Sequence, residues 1–131
     1  MASAKIVKQI NFKMENRTGL AAEICSALYD AKVNITAICG YEMDKQAEFM
    51  LLCDNPAAAK KALKKLSAEI SEDSVIVVDM PNKSGELKKV ASALAGAGIN
   101  INYFYGTTGS GKTSACVIKT ADNKKSLKVI C

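Results

Sequence analysis

A chain of 131 residues, with 49% hydrophobic and 24% charged residues, has the size of one ordinary domain or two very small ones and the balance of a globular protein. Histidine is absent, which removes the commonest general base, the usual partner of a nucleophilic serine or cysteine, and the commonest zinc ligand. The net charge of +5 rests mostly on lysines at exposed helix positions, such as Lys60, Lys61, Lys64, Lys65, Lys124, Lys125 and Lys128; without aromatics beside them they read as a solvated face rather than a nucleic-acid patch.

The opening stretch "MASAKIVKQINFKMEN" has no long apolar run before a cleavage site, and nowhere do about 18 apolar residues follow one another as a membrane span requires. The expectation is a soluble cytoplasmic protein with no membrane partner. Five cysteines, an odd number without a C-x-x-C pair, argue for a reducing compartment. Cys25, Cys39, Cys53 and Cys116 fall inside apolar runs and are expected to be small core hydrophobes, with no metal site and no cofactor.

Taken in chain order, Ile10, Phe12 and Met14 alternate as in a strand, the polar turn "ENRTG" follows, and Leu20, Ile24, Ala27, Leu28 and Ala31 then recur at helical spacing, with Thr18 as the expected cap. The helix stops near "DAKVN", and "ITAICGY" and "EFMLLC" read as the second and third strands. "DNPAAAKKALKKL" gives a second helix, with Asn55 as cap and Pro56 in its first turn. A fourth strand can come from "SEDSVIVV", either for this half of the chain alone or shared between both halves.

The same order then returns. An ungapped slide of 66 residues lays "MENRTGL" over "MPNKSGE", "ALYDAKVNI" over "ALAGAGINI" and "EFMLLC" over "SACVIK". "VIVV" opens this second copy as a strand, "PNKSG" turns into a helix with Ser84 as expected cap and Leu87, Val90, Ala91 and Leu94 on one face, and Gly96 and Gly98 break it. "INYFYG" is its second strand, and its last helix is short, with nothing after Cys131. The expected repeats are 1–70 and 71–131.

"GTTGSGKT", Gly106 to Thr113, fits the phosphate-loop pattern G-x-x-x-x-G-K-[ST]. In the repeat it takes the place of "GYEMDKQA", between two strands, and "TSACVIKT" after it reads as a strand. The helix that such a loop must feed is missing, and only 19 residues follow Lys112, so a hairpin is expected and nucleotide binding is not.

Two features recur at matched places: a glycine turn into the first helix, and an asparagine, Asn34 or Asn100, that starts the second strand. A glycine-led helix start offers unpaired NH groups to a carboxylate, and an asparagine offers both a donor and an acceptor, so the two together would fit the zwitterionic end of an amino acid. The same residues also serve as ordinary turn formers.

The pattern "N-x-x-G" opening a helix, a spaced "A-L" within it and "[VI]-N-I" leading into the next strand resembles the ACT domain, and both copies carry it. The resemblance covers essentially the whole chain. It implies an α+β protein of two ferredoxin-like βαββαβ units, antiparallel sheets with helices on one face, that is not an enzyme and senses a small molecule, most often an amino acid. It further implies pairing of units side by side, here within the chain, in a homodimer or both, and an output through another, regulated protein. The family's ligand contacts fall on Asn16, Arg17, Thr18, Gly19, Leu20, Asn34 and Ile35 in the first copy and on Asn82, Lys83, Ser84, Gly85, Glu86, Leu87, Asn100 and Ile101 in the second. Thr18 and Ser84 replace the proline usual before the family's glycine. The second copy is the expected binder, because Lys83, Ser84 and the run Tyr103, Phe104, Tyr105 surround its turn. An RNA-binding module of the same strand order is the alternative, disfavoured because Phe49 is the sole aromatic of "EFMLLC" and "SACVIK", and a structural adaptor is another.

Overall fold

The computed structural model of the chain describes residues 2–108 and 110–131. Its elements run β1 (Ser3–Glu15), α1 (Leu20–Asp30), β2 (Ile35–Met43), β3 (Gln46–Cys53), α2 (Pro56–Lys65), β4 (Glu69–Pro81), α3 (Glu86–Gly96), β5 (Ile101–Thr107), β6 (Thr113–Thr120) and α4 (Asn123–Ile130). The chain forms two compact units, Lys8–Asp73 and Met1–Val7 with Ser74–Cys131. The strand order is β2-β3-β1-β4 in the first and β5-β6-β4-β1 in the second, the ferredoxin-like arrangement. Strands β1 and β4 are divided between the units, so the sequence repeat and the compact unit are different divisions of the same chain.

The cores follow from strand alternation. Ile10, Phe12 and Met14 point one way from β1 and meet Leu20, Ile24 and Leu28 of α1 and Ala59 and Leu63 of α2. Ile76, Val78 and Met80 of β4 meet Val90 and Leu94 of α3 and Leu127 of α4 in the same way, with Ala2 and Ala4 completing that core. Burying each of these larger side chains contributes about 1.5–3 kcal/mol.

Several local expectations need correction. Thr18 and Ser84 do not cap the helices: Gly19 (φ 86°) and Gly85 (φ 90°) occupy the cap positions in the left-handed region, and the hydroxyl residues stand one place too early to bond the first turn. Gly96 ends α3 as a helical residue, and Gly98 (φ 71°) makes the break, as Lys32 (φ 58°) does in the first repeat. Of the cysteines only Cys116 is buried; Cys39 and Cys53 are half-buried, and Cys25 and Cys131 are exposed. Cys25 follows Ile24 on a helix whose buried face is Leu20, Ile24 and Leu28, which turns it outward.

The duplication is not gapless. In the first unit Leu51 pairs with Ile10 and Ile38, whereas in the second Ile118 pairs with Ile76 and Phe104, so from β6 onward the structural offset is 67 rather than 66. The extra residue lies in the hairpin, 108–114 against 42–47. Downstream the same offset relates the cap Asn55 to the cap Asp122 and buried Ala59 to buried Ser126. Of "GTTGSGKT", Gly109 lies outside the described residues; the flanking strands β5 and β6 pair antiparallel, and a strand follows Lys112.

Candidate functional site

Each glycine turn is tied to the tip of the hairpin beside it. The Asn16 backbone N–H donates to the Lys45 carbonyl at 2.9 Å, and that of Asn82 donates to the Lys112 carbonyl at 2.8 Å. The side chains act locally as well: Asn16 Nδ2 donates to Glu42 Oε2 (2.7 Å), and Asn82 Nδ2 donates to the Gly111 carbonyl (3.0 Å). Arg17 is spent on Glu23, 2.8 Å away.

The asparagines before the second strands lie elsewhere. The Asn34 carbonyl accepts from the Asp54 N–H (3.1 Å) and its N–H donates to Asp54 Oδ1 (2.9 Å), while the Asn100 carbonyl accepts from the Ala121 N–H (3.0 Å). These bonds fix them at the opposite end of the sheet from the glycine turns. The seven residues of β5 separate Asn100 from the turn-side hairpin, roughly 20 Å at ~3.3 Å per residue. One zwitterionic head group therefore cannot touch the glycine turn and the asparagine of the same unit. Asn34 instead lines an open depression with Tyr29, Asp30, Lys32 and Val33.

Beside the second turn lies a cleft of about 320 Å³ between α3, β5 and β6, lined by residues that include Met80, Lys83, Glu86, Phe104, Gly106 and Cys116. Its size falls within the usual range for small-molecule sites, roughly 300–1,000 Å³. An apolar groove of about 290 Å³ adjoins it, lined by Leu87, Lys88, Val90, Ala91, Ile101, Phe104 and Ile118. Leu87 and Phe104 wall both.

Gly106 and Cys116 explain why space exists there. They face each other across β5 and β6 as Gly40 and Phe49 do across β2 and β3. In the first unit the Phe49 ring stacks on Phe12, with centroids 4.8 Å apart, and lies over Gly40 so closely that a Cβ on that glycine would come within 2.8 Å of it. In the second unit Cys116 and Val78, neither of which carries a ring, hold the places of Phe49 and Phe12. A Cβ at Gly106 would meet the Ala115 carbonyl oxygen at 2.8 Å, so this position needs glycine for β6 to pair. Burial pushes the Cys116 thiol pKa up and keeps it a neutral wall.

A second replacement sets the charge of the cleft. Leu20 is a buried core residue at the start of α1, and its counterpart Glu86 is a buried glutamate, 8% exposed, at the start of α3. Lys89 approaches Glu86 Oε2 at 2.6 Å and, with Lys83, holds the carboxyl below its ordinary range against the opposing effect of burial.

The family model described as an ACT domain pair matches residues 5–131. The chain belongs to that family. No curated protein matches the sequence. Among solved structures, this ACT domain pair is similar to a protein from Bacteroides thetaiotaomicron at 27% identity and a TM-score of 0.88, over 97% of this chain and 88% of that one. It shares its fold with the ligand-free regulatory subunit of aspartate kinase from Thermus thermophilus (17% identity, TM-score 0.68, 97% and 93% coverage) and with the corresponding subunit from Thermus flavus (18%, 0.60, 98% and 94%).

Within the ACT domain pair, Lys83, Glu86, Leu87 and Ile101 line the clefts of the second repeat; Asn82, Ser84 and Gly85 shape the adjoining turn, and Asn100 stands apart. In the first repeat Leu20 belongs to the core, and Asn16, Arg17, Thr18 and Gly19 form the turn, with Asn34 and Ile35 at the far end. Gly106, Cys116, Met80 and Ile118 were not legible as site residues, because the ungapped alignment set Phe49 against Ala115 instead of Cys116. No helix among the described residues is long and apolar enough to cross a membrane.

Proposed function

We propose that this ACT domain pair is a non-catalytic regulatory module that senses a free amino acid in the cleft of its second repeat and passes the signal to a separate protein. The observation that carries the reading is the contrast between the repeats: a cleft beside the Gly85 turn where the first repeat has the Phe49 ring. The regulatory subunits that share the fold support the same role. Edge strand β2 exposes Ile38, Tyr41 and Met43, and edge strand β5 exposes Phe104; each unpaired strand edge suits side-by-side pairing in a homodimer, which sedimentation would register.

A thermal-shift screen against the twenty amino acids tests the reading. A ligand present at about 100 times its dissociation constant stabilises the folded chain by roughly 2.7 kcal/mol. A rise in Tm with a small set of amino acids is expected, and no rise with any of them contradicts the proposal.

A further inference from the structure

The first helix of each repeat ends differently. Neither α1 nor α3 carries a basic residue in its last turn, so neither supplies its own cation to the negative end of the helix dipole. In the second unit α4 supplies it: Lys125 reaches across, and its Nζ donates to the carbonyl of Ala97, the residue after α3, at 3.2 Å. The matched residues of the first unit are Ala31 after α1 and, at the structural offset of 67, Ala58 in α2. An alanine cannot make that bond. An open groove of about 460 Å³ lies between α1 and α2 instead, lined by both alanines.

Ala27, Ala31, Ala58 and Ala62 form the apolar part of this groove, and its two sides differ in charge. Asp30 stands on the α1 side, and Lys61 and Lys65 stand on the α2 side, all three exposed. Among the described residues none of the three takes part in an ion pair, whereas Lys60 of the same helix is held by Glu72 at 2.8 Å. The acidic side, with the C-terminus of α1 beside it, attracts a cation, and the lysine side attracts an anion. The same groove, turned over, meets both demands. A two-fold axis running along the groove sets the acidic side of one copy against the lysine side of the other, and the two copies exchange these contacts symmetrically. The small alanine side chains leave room for lysine stems, as the Lys125 stem crosses the matched place in the second unit.

We infer that the α1–α2 groove of the first repeat is a self-pairing surface. Lys61 or Lys65 of a second copy of this chain takes there the role that Lys125 has within the second repeat, its ammonium at Asp30 and the Ala31 carbonyl. The test is sedimentation equilibrium of the full chain, of Asp30→Lys, of Lys61→Glu combined with Lys65→Glu, and of an equimolar mixture of these two charge variants. The parent is expected to associate reversibly. Either charge variant alone sets like charges against each other in both halves of a two-fold interface and is expected to weaken association about tenfold or more. Mixing the two is expected to restore it, because each altered side then meets its opposite charge. Ala58→Lys, which copies the second repeat and fills the groove from within, is expected to weaken association as well, and its fold has a precedent in the same chain. All variants are compared with circular dichroism matching the parent's. A parent that stays monomeric at its highest soluble concentration overturns the inference. So does an association that Asp30→Lys and Ala58→Lys leave unchanged, which is the result of pairing through strand edges alone. Loss of association in both charge variants without recovery in the mixture overturns it too, since the occupant of the groove is then not a second copy. The amino-acid screen reads the second repeat and is independent of every one of these outcomes.

Discussion

The difference between Phe49 and Cys116 is a single side chain at one register position, yet it separates a glycine covered by a ring from one beside a cleft. Cys116→Phe should place a ring over Gly106, as Phe49 lies over Gly40, and abolish ligand binding at an overpacking cost of about 1–3 kcal/mol, read by calorimetry and by denaturant unfolding. Phe49→Ala should destabilise by up to about 3 kcal/mol, less than a fully buried phenylalanine costs, because the ring is half-buried. Gly19→Val and Gly85→Val both force a side chain into positive φ, where nothing crowds the new Cβ, so the cost is conformational strain of about 1–3 kcal/mol at either site. Only Gly85→Val should also weaken amino-acid binding; loss of binding in folded Gly19→Val with Gly85→Val unaffected would move the site to the first repeat. Lys112→Ala should change neither stability nor ligand response, and micromolar ATP binding by the parent that this variant loses would contradict the hairpin reading. Glu86 and Glu72 have folded pKa values lowered by hydrogen bonds from Lys89 and Lys60, respectively. A lowered folded value means that their stabilisation is complete above the ordinary carboxylate value of 4.5 and disappears as the pH falls through the lower folded one. Thermal unfolding should therefore show a decline on acidification that Lys60→Ala and Lys89→Ala each reduce.

At the scale of elements, the second helix of each repeat starts with a side-chain cap: Asn55 accepts from the Ala58 N–H at 3.2 Å, and Asp122 accepts from the Lys125 N–H at 3.0 Å. Asn55→Ala and Asp122→Ala should each cost about 1 kcal/mol in denaturant unfolding. The Asn55 cap, the helices and the strands were legible because each rests on neighbours in sequence, such as Asn55 before Pro56 or Ile10, Phe12 and Met14 alternating. What escaped depends on pairing between distant segments. The extra residue of the β5–β6 hairpin shifts all of β6 by one place, and nothing local in "SACVIK" signals that Cys116 rather than Ala115 faces Gly106. The separation of Asn100 from Gly85 escaped for a related reason: recurrence in both repeats suggests a shared task, but helix α3 between them carries them to opposite ends of the sheet.

At the scale of the whole molecule, one unit was written twice and then diverged. The first repeat spends its cleft on an aromatic pair and its helix start on a leucine, which favours stability; the second holds a cysteine, a valine and a glutamate at those places and keeps an opening. If this divergence confines amino-acid binding to the second repeat, each chain holds one site. Calorimetric stoichiometry with the best ligand of the amino-acid screen, at known active concentration, tests it most directly. One molecule is expected to bind per chain, reduced to none by Cys116→Phe; two molecules per chain, or one that survives Cys116→Phe in a folded protein, would place binding elsewhere.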